Sequence, residues 1–210
     1  KNEVGVFNDS KYVILDTEFL KTLDKENILS GYAEMLKHGL ISNDKMWAQL
    51  VNFEISNPDF ELLQTMVADS VEVKKNIVKK DPYENGIRKA LNLGHTFGHA
   101  FESWSLKRKP ILHGYAVAYG LICELYLSSI KAGFPTDKMR QTVNFIRENY
   151  GTLGITCDDY DELIELMTHD KKNQAGIINF TLLESVGKIK INQTATIEEI
   201  KETLDFFREG

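Results

Sequence analysis

The chain has 210 residues, enough for one large domain or two small ones, and its 42% apolar fraction can build a real core, which excludes a disordered chain. A net charge of −6 lacks the basic face that general nucleic-acid binding requires, although a local group of Lys and Arg can still hold an anion. The longest apolar stretch, around residues 115 to 130, is interrupted by Glu124 and is too short and mixed to span a bilayer, and no signal peptide is visible.

The chain opens on "KNEVGVF" without an initiator Met, as expected of a piece cut from a longer protein. "KYVILDT", residues 11 to 17, is a β-branched apolar run that predicts a strand. From about 18 to 170 the period is helical, with helices expected over 24–42, 44–53, 58–80, 88–105, 113–132, 135–150 and 158–168. Pro135 followed by Thr136 and Asp137 marks one helix start, and "NPDFE" at 57 to 61 marks another. "GIINFTLLE" and "GKIKINQ" predict a hairpin turning at Ser185 to Gly187, and a last helix over 196–208 begins with Thr196 and Glu199 in capping-box spacing. The two cysteines, Cys123 and Cys157, form no CxxC pair, and Cys123 lies in the apolar run "GLICELYL", where a buried thiol is expected. Without a disulfide framework, a reducing cytoplasm is the default location. The fold class expected is mainly α, one multi-helical domain with a small β-hairpin near the C-terminus.

An α-helix turns about 100° per residue, so side chains can be placed on a wheel. Over 88–104, Ala90, Leu93, Phe97, Ala100, Phe101 and Trp104 form a core stripe. The opposite stripe carries Arg88, Asn92, His95, His99 and Glu102, lacks the usual Lys/Glu mixture, and suits an oxygen-rich ligand. Over 58–80, Lys74 falls inside the apolar stripe of Leu63, Val67, Val71 and Val78, where an ammonium either snorkels out or is held partly dehydrated beside an anion. In "SGYAEMLKHGLI" the stripe of Ile28, Tyr32, Met35, Leu36 and Leu40 faces the core, while Glu34 and His38 share the far side with Lys37 between the faces. Two imidazoles and one carboxylate with an open fourth position make a common catalytic zinc set. Spacing alone does not choose among His95, His99, Glu102, Glu34, His38 and His113. His169 reads as a surface or loop histidine.

"SGYAEMLKHGLI", "RKALNLGHTFGHAFES", "LHGYAVAYGL" and "DKKNQAGIINFTLLESVG" occur in the order and approximate spacing of a known family. Together they resemble the C-terminal, metal-binding domain of 3-dehydroquinate synthases, over essentially the whole chain. The resemblance implies that residues 1–17 are the tail of an NAD-binding N-terminal domain and its linker, and that 18–210 form a helical metal- and substrate-binding domain. It implies zinc or cobalt on Glu34, His95 and His113, with His99 beside the metal as a proton relay. It places substrate contacts at Lys1, Asn2, Lys37, Lys74, Arg88, Asn92 and Lys171, with Lys37 and Arg88 also in catalytic roles. It places NAD contacts at Phe19, Leu20, Lys21 and Thr22. The sequence departs from the family in having Asp24 where a Pro follows "FLKTL", and Asp81 with Pro82 where an acidic pair is common.

The implied reaction converts DAHP, a seven-carbon sugar-acid phosphate, to 3-dehydroquinate in the shikimate pathway, releasing phosphate while NAD is reduced and reoxidised. The enzyme would be a lyase working as a homodimer, and the 210-residue piece alone would be inactive. The neighbouring alternatives are another sugar-phosphate cyclase, of the 2-deoxy-scyllo-inosose or valiolone type, and a metal-dependent polyol dehydrogenase. A further alternative is a non-enzymatic helical interaction module.

Overall fold

The computed structural model describes residues 11–169 and 177–209. Eight α-helices and one hairpin account for most of them: α1 Lys25–Ser42, α2 Asp44–Val51, α3 Phe60–Lys80, α4 His95–Leu106, α5 His113–Ala132, α6 Thr136–Tyr150, α7 Tyr160–Thr168, β1 Asn179–Ser185, β2 Lys188–Thr194 and α8 Ile197–Glu209. The mainly α class with a late hairpin is the class the sequence pattern predicts.

The helix starts are fixed locally. Asp24 accepts from the Asn27 amide at 2.8 Å, Asn43 from Met46 at 3.0 Å, and Asp59 from Glu61 and Leu62 at 3.0 and 3.1 Å. Each cap satisfies amides that have no partner inside the helix, a contribution of about 1 kcal/mol. At α8 the expected capping box closes, with the Glu199 amide on Thr196 Oγ1 at 3.2 Å and the Thr196 amide on Glu199 Oε2 at 2.8 Å.

Helix α5 is the centre of the domain. Almost every residue from Ala116 to Ser128 is buried, and α1, α4, α6, α8 and β1 all pack around it. A helix apolar on all sides can lie only inside a core. The hairpin is antiparallel, pairing Asn179 with Thr194 and Ser185 with Lys188, with register shifts between Phe180 and Leu182 and between Leu183 and Ser185. Phe180, Thr181, Leu182 and Leu183 are buried against α5, while β2 stays half-exposed to exposed. Among the described residues no helix is long and apolar enough to cross a membrane.

Three sequence expectations need correction. Residues 11–17 form no strand, and Tyr12, Val13 and Ile14 are 76%, 76% and 89% exposed. A strand needs a neighbour for its backbone, and the one described sheet contains only β1 and β2. The helix expected over 88–105 is broken into a 3-10 turn at Ile87–Asn92 and then α4, with Gly94 between them at φ +80°. Of the stripe expected on α3, Leu63 is buried and Val67 and Val78 are half-buried, but Val71 is 39% exposed and Lys74 is exposed, because the buried face runs through Leu63, Met66 and Ser70.

The break at Gly94 follows from how closely α4 and α5 cross. A Cβ on Gly120 would sit 1.9 Å from the Gly94 carbonyl oxygen, and one on Gly94 would sit 2.9 Å from Leu121 Cδ2. Gly120→Ala should therefore force the helices apart and cost about 3 kcal/mol or more in denaturant unfolding. Gly154→Ala, at a position with nothing within 4 Å, should change stability by less than about 0.5 kcal/mol.

Candidate metal centre

Three chain segments meet at one point. Glu34 lies in the middle of α1, and His95 and His113 are the first residues of α4 and α5. Glu34 Oε1 is 3.4 Å from His95 Nε2 and 3.5 Å from His113 Nε2, and the three donor atoms all lie within 4.8 Å of one another. Bonds of about 2.1 Å to a tetrahedral ion put ligand atoms roughly 3.4 Å apart. The spacing therefore fits one divalent cation with its fourth position open.

The atoms behind the ligands fix their orientation. His95 Nδ1 donates to the Leu93 carbonyl at 3.0 Å, which turns Nε2 towards Glu34 Oε1. His113 Nδ1 donates to Glu102 Oε2 at 3.0 Å, the carboxylate–histidine arrangement typical behind a metal ligand. Glu34 divides its oxygens: Oε1 faces the two imidazoles, and Oε2 accepts from Lys37 Nζ at 2.5 Å. Burial opposes charge on Glu34, but hydrogen bonds from His113 and His95 and the Lys37 charge outweigh it, so the carboxyl is held far below the usual range. A second cluster, His99, Glu102 and His113, also has donor atoms within 4.8 Å of one another. It shares His113 with the first set, and His113 Nδ1 already binds Glu102, so the set with Glu34 is the better fit.

The close approach of α1 and α5 is what brings Glu34 to His113. A Cβ on Gly114 would fall 1.8 Å from the Ser30 carbonyl oxygen, and the Gly114 amide donates to Ser30 Oγ at 3.1 Å. The stripe of Arg88, Asn92, His95, His99 and Glu102 is split by the break at Gly94. His99 stays beside the metal set, with its ring centroid 5.3 Å from that of His95 and 5.9 Å from that of His113. Arg88 and Asn92 sit on the preceding turn. The Arg88 guanidinium donates to the Pro82 carbonyl at 2.5 Å, and Asn92 donates to Glu84 Oε1 at 2.8 Å. That turn is organised by Asp81, which accepts from the Asn85, Gly86 and Arg88 amides at 2.7 to 3.0 Å.

The far side of α1 faces the interior rather than solvent. Lys37 is 3% exposed and also donates to the Leu91 carbonyl at 2.8 Å. His38 is 5% exposed, and its Nδ1 lies 2.6 Å from Ser70 Oγ. Burial first, then the Lys37 charge, lowers the His38 pKa to about 3, so the ring is neutral. His38 belongs to neither ligand set. It lines a cavity of roughly 360 Å³ with Glu34, Ser70, Lys74 and Leu20. Of "FLKT", Leu20 thus reaches the cavity beside Glu34, while Phe19 is 74% exposed, Lys21 pairs with Glu18 at 2.8 Å, and Thr22 bonds the Phe19 carbonyl at 3.2 Å. His169 is exposed beside Glu165, as expected. The expected substrate contacts at Lys1, Asn2 and Lys171 lie outside the described residues. Ser70 behind His38 carries no warning in the sequence, because a serine in a helix says nothing about its partner.

The family model for the 3-dehydroquinate synthase C-terminal region matches residues 31–173, a span that contains the whole metal set. The chain belongs to the 3-dehydroquinate synthase C-terminal family. It is 58% identical to the 3-dehydroquinate synthase of Parabacteroides distasonis, over all of this chain and 60% of that protein, so it spans less than two thirds of the relative's length. Among solved structures, it matches a 2-deoxy-scyllo-inosose synthase complexed with carbaglucose-6-phosphate, NAD+ and Co2+, at TM-score 0.79 and 25% identity, covering 100% of this chain and 59% of that one. It also matches the valiolone synthase ValA of Streptomyces hygroscopicus, with NAD+ and Zn2+ bound, at TM-score 0.83 and 21% identity over 100% of this chain and 59% of that one, a likeness of fold.

In this member of the family, Glu102→Gln should weaken Co2+ binding by roughly 10- to 100-fold while the fold is kept, because it removes the carboxylate behind His113. Titration of the metal-free protein with Co2+, followed by visible absorption, measures this. His95→Ala should abolish the site.

Proposed function

We propose that the chain is the metal- and substrate-binding part of a 3-dehydroquinate synthase, which converts DAHP to 3-dehydroquinate and inorganic phosphate. The observation that carries this reading is the convergence of Glu34, His95 and His113 on one point, in a chain 58% identical to a synthase of that name. Residues 1–17 would lead from an NAD-binding region into the helical part at 18–210, consistent with the greater length of the relative and with the exposed apolar side chains of Tyr12 to Leu15. The full-length enzyme would be a cytoplasmic homodimer.

Glu34, His95 and His113 would hold a zinc or cobalt ion. The ion and NAD supply Lewis acidity at a substrate hydroxyl and reversible hydride acceptance. The remaining work falls to the chain's own groups. Lys37, fixed on Glu34 Oε2, keeps Glu34 Oε1 turned towards the imidazoles and adds positive charge at the site wall. Lys74, which lines the same cavity as Glu34, would bind an anionic substituent. Arg88 would turn from the Pro82 carbonyl to grip a phosphate or carboxylate with its planar fork. Asn92 would orient hydroxyls, and Lys1, Asn2 and Lys171 would complete the substrate contacts. Phe19 to Thr22 would meet NAD. His99, one turn along from His95, would move a proton to or from the substrate.

The direct test offers DAHP and, separately, a hexose 6-phosphate without a carboxylate to the full-length enzyme. Phosphate release with 3-dehydroquinate formation from DAHP alone is expected; cyclisation of the hexose phosphate would instead point to the 2-deoxy-scyllo-inosose type. His99→Ala should retain metal while kcat falls by roughly 100-fold or more. Arg88→Ala should raise KM for DAHP and leave metal content unchanged. Full turnover by His99→Ala would remove its proton-relay role.

A further inference from the structure

Glu124 is fully buried in the middle of α5, an apolar helix that otherwise offers no reason for a carboxylate. Its two oxygens reach across to the start of α4. Oε2 accepts from the Gly94 amide at 2.7 Å, and Oε1 accepts from the Thr96 amide at 2.9 Å. The two amides flank His95. Helix α4 has no cap of its own, since the residue before it is Gly94 and offers no side chain. Glu124 supplies that cap from a neighbouring helix.

The grip extends to the imidazole. The Gly94 amide and the Leu93 carbonyl belong to one planar peptide group. Glu124 holds its N–H end, and His95 Nδ1 donates to its C=O end at 3.0 Å. Turning that peptide would carry the carbonyl away from Nδ1 and release the ring. The Thr96 contact fixes the peptide on the other side of His95. The main chain on both sides of His95 is therefore set by one carboxylate. The close crossing at Gly94 and Gly120 makes this reach possible.

We infer that Glu124 is a positioning residue for the metal site, orienting His95 through the Leu93–Gly94 peptide. The inference rests on the reading of Glu34, His95 and His113 as metal ligands. Glu124→Gln tests it, because the amide keeps the size but turns an NH2 donor against one of the two N–H groups.

The experiment titrates Co2+ into metal-free full-length protein, with circular dichroism for fold and visible absorption for ligand geometry. Wild type should bind, His95→Ala should not, and Glu124→Gln should stay folded, bind roughly tenfold more weakly and shift the Co2+ absorption bands. Thr203→Val controls for lost stability alone: it removes a buried hydrogen bond to the Glu199 carbonyl at 2.7 Å and should leave both Co2+ readouts at wild-type values. If Glu124→Gln fails to fold, Glu124→Asp decides, since it keeps the charge and shortens the reach; folded protein with weakened, shifted Co2+ binding supports the inference. Unchanged affinity and spectrum in a folded Glu124 variant would overturn it, as would loss of fold in both, which would reduce Glu124 to a structural strut. Equal Co2+ binding by wild type and His95→Ala would remove the metal reading itself, and this inference with it.

Discussion

The domain depends on how closely α5 lies to its neighbours. At two places a glycine on α5 admits another main chain to within a distance no side chain would permit: Gly120 against Gly94, and Gly114 against Ser30. The first contact brings α4 onto α5 and the second brings α1 onto α5. Glu34, His95 and His113 come one from each of these three helices. The site is thus a by-product of a packing geometry. Its precision comes from helices packed in the core rather than from a loop, which suits a candidate metal centre, where donor atoms have to hold position to fractions of an ångström.

Charge inside this core is arranged in pairs that serve one another. Lys37 is nearly inaccessible, a costly place for an ammonium, yet its contacts to Glu34 and to the Leu91 carbonyl offset that burial. Glu34 in turn is kept ionised by what surrounds it. His38 goes the other way and is held neutral. Neighbouring residues on one helix therefore carry opposite electrostatic assignments, set by which groups each one faces.

Much of this was legible in the residues. Helix α5 declared itself by a long apolar run broken only by Glu124 and two late serines, and the capping residues Asp59 and Thr196 marked helix starts that the structure keeps. His95, His99 and Glu102 do share a face, and the wheel found it. The wheel failed for Arg88 and Asn92 because it assumed one continuous helix, whereas Gly94 adopts a left-handed conformation and the chain turns there. It failed for Lys37 and His38 because periodicity separates faces but cannot say how many are covered, and α1 is covered nearly all round. The strand expected at 11–17 shows the same limit: local preference for extended backbone does not supply a partner. Glu124 was visible as the lone acid in "GLICELYL", and its isolation was the signal; only the crossing of α4 over α5 reveals what it holds.

The two cysteines end up in opposite surroundings, Cys123 fully buried in α5 and Cys157 exposed ahead of α7. A thiol reagent added to the native protein meets one sulfur, and to the denatured protein, two. Alkylation stoichiometry is thereby a built-in gauge of whether the central helix is still enclosed, readable by mass alone and without reference to any bound ion.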